Sequence, residues 1–137
     1  MTTVRSEAEI RNALGPIASG SDLELLVLVG SRAKGRAGTR SDVDVGLLCR
    51  GPADRDAWYL ALAPIFGSDR LDLVDLRRAD PLLAFEVARS GRLLFERHPG
   101  RFHAFQALAS RRYADTHKLR VAQRRAIHAF LEREGLA

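Results

Sequence analysis

The 137-residue chain is short of the features that would place it in many functional classes. Its one cysteine, Cys49, excludes an intrachain disulfide and fits a reducing cytoplasm. Lying in an apolar run, that thiol reads as core packing. No apolar run approaches the roughly 20 residues of a membrane span, and the polar opening Met1-Thr-Thr-Val-Arg-Ser-Glu is no signal peptide, so no membrane role is expected. There is no internal repeat and no low-complexity stretch, which sets aside solenoids and disordered arrays. What is present is ordinary for a globular protein, 46% apolar and 28% charged residues, at a length suited to one compact domain.

Charge is unevenly placed. Residues 1–96 hold 13 Lys/Arg against 14 Asp/Glu, whereas residues 97–137 hold 9 against 3, together with all four histidines. The surplus cations therefore belong to the C-terminal segment, where they suit an acidic partner, a nucleic acid or a solvated helix face. The spacings of the four histidines fit no compact metal site.

Hydrophobic periodicity divides the chain into alternating elements. Ser6 with Glu9 forms a capping box ahead of Ile10, Ala13, Leu14 and Ile17 at helical spacing, and this helix ends near Gly15-Pro16 and the Ser19-Gly20-Ser21 turn. Leu23–Val29 is apolar at nearly every position, the pattern of a central strand covered on both faces. A short helix is expected from Ser31, with a loop over 35–40, and a second strand over Asp42–Cys49. Asp54 caps a helix carrying Trp58, Ala61, Leu62 and Ile65. A third strand is expected over Arg70–Leu76, a helix after Asp80-Pro81, and a short edge strand over Arg92–Glu96. From Phe102 onward the pattern is helical. The reading is an α/β (α+β) domain, a small mixed sheet flanked by helices, with 1–97 as core and 98–137 as a basic helical segment of the same compact domain.

The chemistry concentrates in Gly30-Ser31-Arg32-Ala33-Lys34-Gly35 and Ser41-Asp42-Val43-Asp44, which lie between two apolar strands. A glycine turn at a helix N-terminus lets a phosphate approach backbone N–H groups, and Ser31 adds a hydroxyl donor. Asp42 and Asp44 share one face of a strand, where paired carboxylates suit Mg²⁺ or Mn²⁺. A lone Gly-Ser or a lone Asp-x-Asp matches by chance; in this order between two buried strands they read as a site.

The string GSRAKGRAGTRSDVDV resembles the signature of the polymerase β-like nucleotidyltransferase superfamily, and in its fuller form that of the minimal nucleotidyltransferases, the MNT proteins. The resemblance covers about Leu23 to Phe95. It implies a mixed sheet with flanking helices and metal-dependent transfer of a nucleoside monophosphate to a hydroxyl. It further implies the antitoxin half of a HEPN/MNT pair, moving AMP from ATP to a tyrosine of a HEPN ribonuclease toxin, with Mg²⁺ or Mn²⁺ as cofactor. The toxin is then the expected partner, in a hetero-oligomer or beside a homo-oligomer, and direct nucleic-acid binding is not expected. Gly30 and Ser31 carry over as triphosphate binders, with Arg32 and Lys34 either neutralising phosphate charge or solvated; Arg32 is the nucleotide-binding candidate of the two. Asp42 and Asp44 carry over as metal ligands.

The superfamily's third carboxylate has two candidates, Asp72 and Asp75, which differ in parity, so at most one faces the site. The family pattern resembles Leu71-Asp72-Leu73-Val74, which makes Asp72 the metal ligand or general base and Asp75 a strand-end residue. Two other functions compete: a non-catalytic antitoxin that binds stoichiometrically, and transfer to a small-molecule hydroxyl. Arg112-x4-His117 and Arg97-x5-His103 match the toxins' own Arg-His motif but fall outside the region of resemblance and carry little weight.

Overall fold

The computed structural model describes residues 6–30 and 43–136. Elements follow in the order α1 (Glu7–Ser19), β1 (Leu23–Val29), β2 (Val43–Cys49), α2 (Arg55–Phe66), β3 (Leu71–Asp75), α3 (Pro81–Ser90), β4 (Arg92–Glu96) and α4 (Arg101–Arg133). The expected short helix from Ser31 and the loop after it lie outside the described residues.

The helix starts are set by local side-chain chemistry. Ser6, Asp54 and Asp80 accept from the backbone N–H groups of Glu9, Ala57 and Leu83 at 3.2, 3.1 and 2.8 Å. Each satisfies a donor the helix itself leaves unpaired. α1 runs through Gly15-Pro16 and stops only at Gly20. α4 is one continuous helix of 33 residues.

The strands form one mixed sheet in the order β3-β2-β1-β4, in which β2 and β3 are parallel and the other two pairs antiparallel. α2 is the crossover that parallel neighbours require. Leu26 and Leu28 of β1, Val43, Val45 and Leu47 of β2, and Leu71 and Leu73 of β3 face α1 and α2. Leu25 and Val27 turn the other way, toward Ala84, Val87 and Ala88 of α3 and Phe105 and Ala109 of α4. Helices on both faces explain why β1 is apolar throughout. A bulge between Leu23 and Leu25 returns Leu23 to the layer of Leu26.

Both edges of the sheet are closed by an arginine. Arg11 of α1 donates to Leu93 O of β4 at 2.7 Å, and Arg55 of α2 donates to Leu73 O of β3 at 2.6 Å. Each occupies a carbonyl that could otherwise pair with a foreign strand. Arg97 ties the α1–β1 turn: its guanidinium donates to Leu23 O, Ala18 O and Ser21 O at 2.7–2.9 Å and lies 3.3 Å from Glu24 Oε2. This anchoring accounts for Arg97 without the Arg-His motif of the sequence.

Candidate active site

β1 ends at Val29, which pairs with Asp44 of β2, so the glycine turn leaves its strand beside the second carboxylate of the Asp-x-Asp pair. Gly30 has φ +79°, in the left-handed region that side chains rarely adopt. A Cβ added there would lie 3.0 Å from Asp44 Oδ2. The turn therefore needs glycine twice, for its backbone and for the carboxylate against it. Ser31, Arg32, Lys34 and Asp42 lie outside the described residues.

The parallel register settles where the two later acids stand. Asp44 pairs with Asp72, so their side chains lie next to one another on one face of the sheet, with strands about 4.8 Å apart. Asp75 pairs with Leu47 and has the parity of Leu71 and Leu73, which face α1 and α2. Its carboxylate instead accepts from Arg77 N at 3.0 Å, closing the strand with an Asx turn. Asp44 is half-buried and Asp72 exposed. Two carboxylates side by side and open to solvent are hard oxygen donors, and a divalent cation between them offsets their repulsion. Among the described residues no group of three or more His, Cys, Asp or Glu side chains is placed to hold a metal.

A cleft of about 450 Å³ opens beside Asp72, lined also by Asp75 at its rim and by Arg55, Val74, Arg78, Ala79 and Leu83. A second, of about 280 Å³, shares Arg55, Asp72 and Leu73 and reaches Tyr59. Arg55 and Arg78 were not singled out from the sequence. The one signal was Arg55's position directly after the Asp54 cap, and nothing marked Arg78.

Cys49 plays no part in this chemistry. Burial, reinforced by the Asp22 carboxylate, pushes its thiol up to about 11, so the nucleophilic thiolate is scarce at neutral pH. The thiol is core, as its apolar run indicates. No helix among the described residues is long and apolar enough to cross a membrane.

Comparison with known proteins places the fold in a family. Residues 12–100 match the family described as polymerase beta, nucleotidyltransferase. The protein adenylyltransferase MntA of Aphanizomenon flos-aquae (strain 2012/KM1/D3) is 31% identical over 130 residues, covering 83% of this chain and 84% of that protein. Among solved structures, a toxin-antitoxin with AMP-PNP superposes with a TM-score of 0.67 at 26% identity, over 93% of this chain and 99% of that one. The toxin-antitoxin MntA-HepT superposes at 0.59, also at 26% identity, over 92% and 96%. The overall fold thus has counterparts among solved toxin-antitoxin structures, and the chain belongs to the polymerase β nucleotidyltransferases, among the MntA protein adenylyltransferases.

Proposed function

We propose that the protein is the antitoxin of a HEPN/MNT pair, an adenylyltransferase that moves AMP from ATP to a tyrosine hydroxyl of a HEPN ribonuclease toxin and so neutralises it. The observation that carries the reading is the Asp44–Asp72 register pair beside the Gly30 turn. It is supported by the name of the Aphanizomenon relative and by the AMP-PNP present in the solved toxin-antitoxin, since that molecule is an ATP analogue.

In this reading the tyrosine Oη attacks the α-phosphorus of ATP. An O–P bond forms, the bond from the α-phosphorus to the bridging oxygen breaks, and pyrophosphate leaves with that electron pair. Asp72, exposed at the edge strand and opposite Asp44 in register, would accept the hydroxyl proton or share a metal with Asp44. The Gly30-Ser31 turn and Arg32 hold the triphosphate. Asp42, Asp44 and Asp72 would hold Mg²⁺ or Mn²⁺, which supplies charge stabilisation at the phosphates and lowers the pKa of a bound hydroxyl. Preorganised positive charge and oriented N–H donors supply most of the acceleration in phosphoryl-type transfer. The buried, single cysteine fits residence in the cytoplasm.

The test incubates the full chain with labelled ATP, Mg²⁺ and the toxin encoded beside it. Label is expected on a toxin tyrosine, and Asp42→Asn/Asp44→Asn is expected to reduce transfer by about 10³-fold or more, as loss of a charge-stabilising ligand set does. Transfer that survives the double substitution would sink the assignment. Toxin neutralised by that variant without label would favour inhibition by stoichiometric binding.

A further inference from the structure

α4 leaves the body of the protein partway along its length. Its beginning is anchored: Phe105 and Ala109 are buried, and Gln106 Nε2 donates to Ala88 O at 2.9 Å. Tyr113 stacks on Phe85 of α3 with ring centroids 4.1 Å apart, so the two helices run antiparallel and α4 passes the start of α3. His117 stacks on Tyr113 in turn, and the Arg120 guanidinium lies 5.4 Å from the Tyr113 ring centre. Beyond Ala109 no described residue of the helix is buried.

The apolar pattern nevertheless continues. Leu119, Ala122, Ala126 and Phe130 recur at helical spacing, with Ile127 on the flank toward the body. Leu119, Ile127 and Phe130 are 58%, 59% and 49% exposed. An amphipathic helix draws most of its stability from packing that stripe, and among the described residues this stretch leaves it largely exposed. We infer that the distal half of α4 is the surface on which the toxin docks, receiving an acidic helical face of that partner across the Leu119–Ile127–Phe130 stripe. This rests on the antitoxin reading above.

Charge selects the occupant. Residues 111–136 carry seven Lys/Arg against three Asp/Glu. A second copy seated on the same stripe would bring like charges together at the contact, at a cost that suppresses pairing. A nucleic acid would match the cations but leave three large apolar side chains in water. A protein face with an apolar centre and an acidic rim satisfies both terms. The relative solved as a toxin-antitoxin matches 93% of this chain, an overlap too long to omit this helix.

The experiment uses the full chain and the product of its neighbouring toxin reading frame. In Leu119→Ala/Ile127→Ala/Phe130→Ala the alanines keep helix propensity, so circular dichroism and the thermal midpoint should match the wild type. Calorimetric titration is expected to show Kd for the toxin raised about 100-fold or more, and Arg124→Glu/Arg125→Glu about tenfold with a flattened salt dependence. The apparent KM for toxin rises while kcat at saturating toxin is kept. A wild-type Kd in the triple variant overturns the inference. So does a wild-type dimer in sedimentation that the triple variant breaks, or a labelled RNA duplex released by Arg124→Glu/Arg125→Glu while toxin affinity is unchanged. Stripe-dependent toxin binding without AMP transfer leaves the docking surface standing and removes the catalytic reading instead.

Discussion

The sheet and the distal half of α4 solve opposite problems. The sheet buries nearly everything apolar: Leu23, Leu25, Leu26, Val27, Val43, Val45 and Leu47 have no exposed surface. It keeps open to solvent two of the carboxylates it carries, Asp44 and Asp72. The helix shows its apolar residues and has hardly any acids, three across residues 111–136. A catalytic surface must hold a few charged groups in fixed geometry, so it is built where neighbouring strands lock the backbone. A docking surface needs apolar area and a charge bias, which one projecting helix supplies without a core of its own. Dividing the labour this way keeps the surplus cations of the tail on a different element from the paired acids.

The two surfaces can be perturbed separately, and the largest effect is expected at the carboxylates. Asp72→Asn is expected to lower kcat for adenylyl transfer by about 10²–10⁴-fold, the range for losing a positioned base or ligand. Asp75→Asn, at the rim of the same cleft but opposite Leu47 in register, should leave kcat within about threefold. Equal losses at the two positions would mean that the parallel register does not decide which acid serves the reaction. Steady-state rates at saturating ATP and toxin measure both.

A smaller effect separates core from helix by stability. Leu62 of α2 is fully buried, and Leu62→Ala is expected to cost about 2–5 kcal/mol of unfolding free energy in urea titration. Leu119→Ala, at a side chain 58% exposed, should stay within about 0.5 kcal/mol. A comparable loss at Leu119 would place it in a packed interior and undo the reading of a free stripe.

A modest stability change with a sharp functional readout belongs to Gly30→Ala. A left-handed backbone costs a non-glycine residue about 1–2 kcal/mol, and the new methyl would press on Asp44 Oδ2. KM for ATP should rise about tenfold or more, with a thermal midpoint lowered by only a few degrees. An unchanged KM would separate the turn from the nucleotide.

Much of the fold was legible because it rests on local chemistry. The three helix starts follow from an acceptor side chain placed before an apolar period, at Ser6, Asp54 and Asp80. The alternation of Asp44 with Val43 and Val45, and the opposite parity of Asp72 and Asp75, are properties of an extended backbone and need no neighbours. Arg97 was not legible in this way. It binds three carbonyls more than 70 residues away, and no local pattern announces such a contact. Arg55 and Arg11 at the sheet edges escaped notice for the same reason.

Local pattern alone puts a glycine turn and a pair of acids between two buried strands, and gives the two later acids opposite parity, so that only one can share their face. Pairing of β3 with β2 puts Asp72 opposite Asp44 and Asp75 opposite Leu47, and that register is the ground on which Asp72 is proposed. The sequence also determined that the tail is helical, basic and striped with apolar residues. Only the packing of α3 and α4 decided that the stripe outruns the core after Ala109. Side-chain parity and helical periodicity are set by covalent geometry within a segment. Neighbour identity is set by contacts between segments far apart in the chain, and those are fixed only when the whole core closes.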